Sequence, residues 1–340
     1  MTLRKDPFFT DSLLRWFALC SRDLPWRRTR DPYAIWLSEI ILQQTRIAQG
    51  TAYWERFMER FPTANALAAA SEDEVLRLWQ GLGYYSRARN LHTAARQIVA
   101  LGGFPATFEG IRALKGVGDY TAAAIASISF DLPYAVVDGN VYRVLSRFYG
   151  IATPIGTPAA KKEFTALAQA LLPDGHASAF NQAMMDLGAI VCTPLSPRCA
   201  DCPLQEHCTA LREGRIALLP VKKPAAPVQE RRFAYIYLRC QGYTAIRRRG
   251  PGDIWQGLWE PLTVIPSASS VIPSAAKESF KLLMAGIKHQ LTHRTLICDF
   301  YLWESSERPP LPEGYIWVPE AELGPKYAKP RLFEHLLELL

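Results

Sequence analysis

From Asp6 to about Gly214, apolar residues recur at three- and four-residue spacing, broken by Gly, Pro and short polar turns, with few alternating runs. That period puts an apolar stripe on each of a succession of helices, so this part is predicted to be mostly α. The pattern changes at Leu218–Gln229, LLPVKKPAAPVQ, where three prolines and two lysines leave no apolar face; an extended linker is expected. Beyond it, Arg232–Cys240 and Lys288–Trp303 alternate and are rich in β-branched and aromatic residues, which predicts strands, while Ala275–Leu283 and Pro330–Leu340 have helical spacing. The Ser-rich stretch Pro266–Pro273 reads as a loop. The expected organisation is a mostly α domain over residues 1–217, a linker over 218–231 and an α+β domain over 232–340. A chain of 340 residues exceeds the usual size of one core.

No apolar run approaches the roughly 18 residues of a membrane helix. Met1–Asp11 carries Arg4, Lys5, Asp6 and Asp11 and no export-type apolar stretch, so a cytoplasmic place without a membrane is expected. The net charge of +7 permits a polyanionic partner, but such a partner needs basic residues gathered on one face. Of seven cysteines, Cys192, Cys199, Cys202 and Cys208 fall within seventeen residues, while Cys20, Cys240 and Cys298 stand alone. An odd total without an export signal argues against a disulfide framework and for metal binding. The spacing C-x6-C-x2-C-x5-C has one C-x2-C flanked by unequal gaps, whereas structural zinc sites usually pair two such knuckles. Thiolates wrapped this tightly suit a [4Fe-4S] cube better, with zinc the alternative; His207 reads as a surface residue.

Three segments carry candidate chemistry. Thr107–Ser129 reads as a capped helix, a tight loop over Lys115–Asp119 with Gly116 and Gly118, and a second helix. The N–H groups of that turn can hold a phosphate oxygen, although an ordinary helix corner has the same look. Asp31-Pro32 starts a helix running through Glu39 to Thr45 that is apolar almost all round. A carboxyl there loses hydration and has its pKa raised, unless Glu39 shares a narrow polar stripe with Gln43. Asp138 follows an apolar run and precedes a helix over Val141–Tyr149, so it reads as an N-cap whose N–H donors and helix dipole keep it ionised. One carboxyl ready to give a proton and one held as an anion form the pairing used at glycosidic bonds that break through an oxocarbenium-like state.

In order, LPWR at Leu24–Arg27, WLSEIILQQT at Trp36–Thr45, GLGYYSRARNL at Gly81–Leu91, LKGVGDYTA at Leu114–Ala122, VDGNVYRVL at Val137–Leu145 and FNQAMMDLGAIVC at Phe180–Cys192 resemble the MutY family of adenine DNA glycosylases. The resemblance runs almost continuously from Leu13 to Cys208. It implies a helix-hairpin-helix glycosylase fold, a six-helix module plus a second helical module with one [4Fe-4S] cluster on the four cysteines, followed by a Nudix-like α+β domain. It implies base excision repair of double-stranded DNA, with adenine flipped out opposite 8-oxoguanine or guanine. Glu39 would protonate N7, Asp138 would stabilise the cationic sugar, and Asn140 and Tyr120 would orient the carboxylates and the nucleophile. Arg22, Trp26, Gln182 and Met185 would line the base pocket. The neighbouring endonuclease III branch carries a lysine nucleophile where this chain has Tyr120, and a phenol cannot form a Schiff base, so a monofunctional hydrolase is implied.

Gln44 and Tyr84 match residues that wedge beside the partner base, with Leu42 and Thr45 close by. Gly252–Pro261 is similar to a DNA-facing loop of the Nudix-like domain. His289–His293 falls where relatives carry H-x-F-S-H, so Leu291, Thr292 and His293 are the expected 8-oxoguanine contacts; Leu291 and Thr292 replace Phe and Ser, keeping a hydroxyl and losing an aromatic wedge. No Glu-rich Nudix helix is present, which speaks against pyrophosphatase chemistry. The chain is expected to act as a monomer associated with the nucleoid through DNA. The rival readings are an endonuclease III-like lyase and a non-catalytic, redox-sensing DNA-binding protein.

Overall fold

The computed structural model describes residues 5–223, 228–264 and 280–340; the Ser-rich stretch Pro266–Pro273 and residues 275–279 of the expected helix lie outside them. The chain forms two compact units, one from residues 1–68 and 93–224, the other from residues 69–92 and 225–340.

The helices in chain order are α1 (Pro7–Cys20), α2 (Pro32–Leu42), α3 (Ile47–Arg60), α4 (Ala64–Ala69), α5 (Glu72–Leu78), α6 (Ser86–Ala100), α7 (Phe108–Arg112), α8 (Asp119–Phe130), α9 (Gly139–Tyr149), α10 (Pro158–Leu171), α11 (Ala177–Asp186), α12 (Thr209–Arg212), α13 (Leu323–Lys326) and α14 (Arg331–Leu337). Several of their starts follow from side-chain caps. Asp6 accepts from Phe9 N at 3.1 Å, Asp31 from Tyr33 N at 3.0 Å and Thr107 from Gly110 N at 3.1 Å, and Pro7 and Pro32 open their helices without wasting a donor. In the first unit α2 is buried along Tyr33–Ser38 and packs on α8, whose run Ala122–Ala124 lets the two backbones approach. A second core joins α1, α9, α10 and α11 through Phe9, Leu13, Leu145, Phe164 and Phe180, and Cys192, Cys202 and Cys208 pack against it.

One detail of this unit differs from the sequence expectation. Helix α2 stops at Leu42 rather than running to Thr45, because Gln44 is left-handed at φ 59°. Gln43 therefore leaves the helix and donates to Thr121 Oγ1 at 3.3 Å instead of sharing a polar stripe with Glu39. The α11 helix, in turn, passes into a π-type turn over Leu187–Val191 that delivers the chain to Cys192.

The second unit centres on a six-stranded sheet ordered β4-β5-β1-β3-β2-β6, with β1 (Gln229–Cys240), β2 (Tyr243–Arg248), β3 (Trp259–Val264), β4 (Phe280–Gln290), β5 (Arg294–Glu304) and β6 (Tyr315–Pro319). Strands β1 and β5 are parallel and the other pairs antiparallel. Phe280–Leu283, expected to be helical, opens β4 and pairs with β5. Register shifts between Leu282, Met284 and Ile287 make its less exposed positions fall at 280, 283 and 287, a three-then-four spacing that imitates a helix. Leu332, Phe333 and Leu336 of α14 close one face of the sheet against Tyr235 and Phe300. Within the same unit, Arg248 meets Glu72 at 2.9 Å, Arg89 donates to the Gln256 side chain at 3.0 Å, and Gln80 bonds Glu334.

Candidate active site

A cavity of about 330 Å³ opens in the first unit. Glu39, Tyr120, Asp138 and Asn140 line it, as do Arg22, Trp26, Gln182, Met185, Leu42 and Thr45. These ten expected residues come from segments more than a hundred positions apart, gathered by α2, α8, α9 and α11.

Glu39 faces this cavity from a helix that is otherwise buried. Burial pushes its carboxyl up to about 7; the Tyr120 hydroxyl, which hydrogen-bonds to it, and the Arg27 charge pull the other way, while Asp138 adds to the rise. The Tyr120 phenol, itself raised well above its usual value by burial, also lies 3.7 Å from Met185 Sδ. Asp138 caps α9 as expected: its carboxylate accepts from Asn140 N and Val141 N, each at 2.8 Å, and from Asn140 Nδ2 at 2.7 Å. Those donors do not win outright. Burial outweighs them and moves the Asp138 carboxyl above its ordinary value, so the cap moderates the rise rather than producing the lowered value that capping alone would give.

Arg27 in the cavity wall, and Asp186 and Arg143 behind it, escaped the sequence reading. Arg27 and Arg22 both close on Asp186, whose side chain is wholly buried: Arg22 Nε lies 2.8 Å and Arg27 Nη1 2.7 Å from its carboxylate oxygens. An aspartate inside the apolar run AFNQAMMDLG was the available signal. Arg143 donates to Asn140 Oδ1 at 2.8 Å, Gly188 O at 2.6 Å and Cys192 O at 2.6 Å, tying the α9 cap to the turn before the cysteine loop. Trp26 lines the cavity while remaining buried, edge-on to Trp54, and Trp36 is core.

The hairpin lies between α7 and α8. Gly116 is left-handed at φ 78°, and a Cβ at Gly118 would meet nothing within 4 Å, so the turn's backbone is open. Asp119, first residue of α8, is held between Arg112 and Lys161 at 2.7 Å each, and its hydrogen bond from Arg112, reinforced by Lys161, lowers it to about 2.

Cys192, Cys199, Cys202 and Cys208 stand round one small cavity. Among the described residues no three His, Cys, Asp or Glu side chains converge closely enough for a single ion. Thiols spread round a cavity fit the corners of an iron-sulfur cube better than one tetrahedral zinc. Burial raises the thiols of Cys199, Cys202 and Cys208, with Cys202 reaching about 12, and neighbouring cysteines add to each rise; bound metal would reverse this by holding thiolates. Arg147, 2 % exposed, donates to Thr193 O, Pro194 O and Leu219 O and lies 3.4 Å from Cys192 Sγ. His207 stacks on Phe8 at 4.1 Å.

In the second unit, Leu291, Thr292 and His293 form the turn between β4 and β5; Thr292 is exposed and hydrogen-bonds the Tyr84 hydroxyl, and Leu291 packs on the sheet core. Gln44, Tyr84 and Trp255 are left-handed non-glycine residues, at φ 59°, 46° and 59°, and all three fall in segments expected to face DNA. Backbone strain of this kind collects at functional sites.

Three family models match. Residues 37–171 match the HhH-GPD superfamily of base excision DNA repair proteins, residues 192–208 the iron-sulfur binding domain of endonuclease III, and residues 234–339 a NUDIX domain. The chain is 46% identical over 226 residues to the adenine DNA glycosylase of Rattus norvegicus, covering 62% of this chain and 44% of the rat protein. It is 34% identical over 254 residues to that of Buchnera aphidicola subsp. Schizaphis graminum, covering 74% and 73%. The chain thus spans less than half the length of the rat relative. Among solved structures, a thermostable thymine-DNA glycosylase superposes with a TM-score of 0.55 at 30% identity, over 60% of this chain and 95% of that one. The fold is a helix-hairpin-helix glycosylase fold followed by a Nudix-like sheet domain, and the cofactor is a [4Fe-4S] cluster. No helix among the described residues is long and apolar enough to cross a membrane.

Proposed function

Because this chain belongs to the adenine DNA glycosylase family, we propose that it hydrolyses the N-glycosidic bond of adenine opposite 8-oxoguanine, or opposite guanine, in double-stranded DNA. The observation that carries this reading is the meeting of two differently served carboxyls in one cavity. Asp138 has three hydrogen-bond donors and the Arg143 charge, so it is the anion; Glu39 reaches about 7 and is the acid.

Adenine enters the cavity by base flipping. Glu39 gives its proton to N7, the C1′–N9 electron pair leaves with the purine, and the oxocarbenium-like sugar is stabilised by Asp138. Water then adds to C1′ and yields its proton to the carboxylate left on Glu39, with Asn140 and Tyr120 holding both carboxyls in place. Tyr120 offers no amine for a Schiff base, so the strand stays intact. Cys192, Cys199, Cys202 and Cys208 would hold the [4Fe-4S] cluster, which would brace the loop over 192–208. Gly116 and Gly118 hold a backbone phosphate, and Leu42, Gln44, Thr45 and Tyr84 contact the bases beside the lesion. The Nudix-like sheet domain, whose first strand opens at Gln229, inside the linker expected over 218–231, reads 8-oxoguanine through Leu291, Thr292 and His293. The protein acts as a monomer.

The test is single-turnover release of adenine from 8-oxoguanine:A, G:A and thymine-glycol duplexes. Release from the first two and none from the third is expected, and Glu39→Gln should slow it by roughly 10²- to 10⁴-fold, the usual worth of a general acid. Unchanged release by Glu39→Gln overturns the roles, and a borohydride-trapped covalent adduct overturns the monofunctional reading.

A further inference from the structure

Three arginines line the cavity: Arg22, Arg27 and Arg46. Two are already committed. Arg22 and Arg27 share the buried carboxylate of Asp186 at 2.5–2.8 Å, which fixes them as wall and leaves them little freedom to follow a ligand. Arg46 differs in each respect. It is exposed, it follows Thr45 at the edge of the cavity, and its side chain has no hydrogen bond or ion pair with any described residue. The first turn of α3, which it precedes, contains no acidic residue to compete for it.

A nucleotide that puts its base into this cavity brings its sugar between Glu39 and Asp138, and its two phosphodiesters must stay at the rim. The rim therefore receives concentrated negative charge, and the one lining cation without a protein counter-ion among the described residues is Arg46. We propose that Arg46 clamps a backbone phosphate flanking the extruded nucleotide on the target strand, holding the flipped state through a fork-shaped, charge-assisted contact. This rests on the base-excision reading above. It adds an anchoring residue on the target strand, separate from the backbone N–H cradle of the hairpin and from the residues that touch the bases.

The experiment uses the full chain with its cluster, Arg46→Ala and Arg46→Lys variants, and 8-oxoguanine:A duplexes in which single phosphates are replaced by uncharged methylphosphonates. Wild-type adenine release checks the underlying reading by itself. With that release intact, Arg46→Ala should bind roughly tenfold to a hundredfold more weakly at low salt, as expected for a charged hydrogen bond, and its log–log salt slope should fall by about one. Arg46→Lys should keep the slope and lose part of the affinity. A methylphosphonate flanking the target adenosine should weaken wild-type binding and leave Arg46→Ala unaffected. Equal methylphosphonate sensitivity in wild type and Arg46→Ala overturns the clamp, and sensitivity confined to the opposite strand overturns its assignment to the target strand. Cluster absorbance matched across the variants guards against a folding artefact.

Discussion

Glu39 shows how one side chain can set both a rate and a stability. As Glu39 acts as the acid and Asp138 as the anion, the single-turnover excision rate should fall about tenfold per unit above pH of about 7 and fall again on the acid side as Asp138, itself raised by burial, takes up a proton. The same proton is linked to folding. A carboxyl whose folded value is raised from 4.5 to about 7 stabilises the folded chain fully below 4.5, and that contribution is lost as pH climbs to about 7. Glu39→Gln should therefore gain melting temperature over wild type at pH 8 and show little gain at pH 4.5; an equal difference at both values would mean Glu39 is not buried as described. The raised acid was legible in the sequence because an apolar helix surrounds it. The behaviour of Asp138 was only half legible: its cap bonds follow from position, but how far burial offsets them depends on α9 and α11 closing over it. Asp186 could not be paired by eye, since Arg22 and Arg27 lie about 160 positions away.

Among elements, the π-type turn after α11 does work that no periodicity reveals. A Cβ on Gly188 would sit 2.5 Å from Asn140 Cβ and 2.9 Å from Asn140 Cα, and Asn140 cannot retreat because its own N–H and amide are bonded to Asp138. Gly188→Ala should destabilise by about 1–3 kcal/mol as overpacking does, and slow excision by up to about 10²-fold through displaced catalytic groups. Thermal melting and single-turnover kinetics on the cluster-loaded protein measure both, and unaltered kinetics would mean the Asn140 contact is not needed. The cysteine loop depends in a comparable way on Arg147, a buried cation bonded to the Thr193 carbonyl within it and the Leu219 carbonyl beyond it. Arg147→Leu leaves those carbonyls unmet and removes the charge that balances the thiolates, so iron content per chain should drop markedly; full occupancy would count against that role. Helix starts at Asp31 and Thr107 were readable from capping residues alone. The early end of α2 was not, because nothing in Gln43-Gln44 announces a left-handed turn, and the bulges of β4 turned a strand into an apparent helix.

Over the whole molecule, composition marks the proline-rich stretch at 218–229, whereas compactness groups residues 69–92 with residues 225–340. Sequence order hides that grouping, since α5 has the same amphipathic look as its neighbours. Arg248, Arg89 and Gln80 supply polar contacts, and Gly257, left-handed at φ 85°, lies against Glu72, Leu76 and Arg89, where its would-be Cβ falls 3.3 Å from Leu76. The exposed Arg248 pair is worth at most about 1 kcal/mol, so Arg248→Ala should barely shift the melting temperature. A fragment ending at residue 223 should melt clearly lower than the full chain, and equal melting would show that residues 69–92 need no partner from 225–340.

The split composition of that second unit also bears on its birth at the ribosome. Strand β1 lies parallel to β5 over eleven paired positions, from Gln229↔Arg294 to Arg239↔Glu304, so the sheet centre cannot form until residue 304 has been made. At roughly 5–20 residues per second, residues 69–92 wait on the order of ten seconds or more for their neighbours, with the apolar side of α5 open to chaperones and proteases. The interval between making a segment and housing it, rather than the final free energy, is then where this chain is most vulnerable.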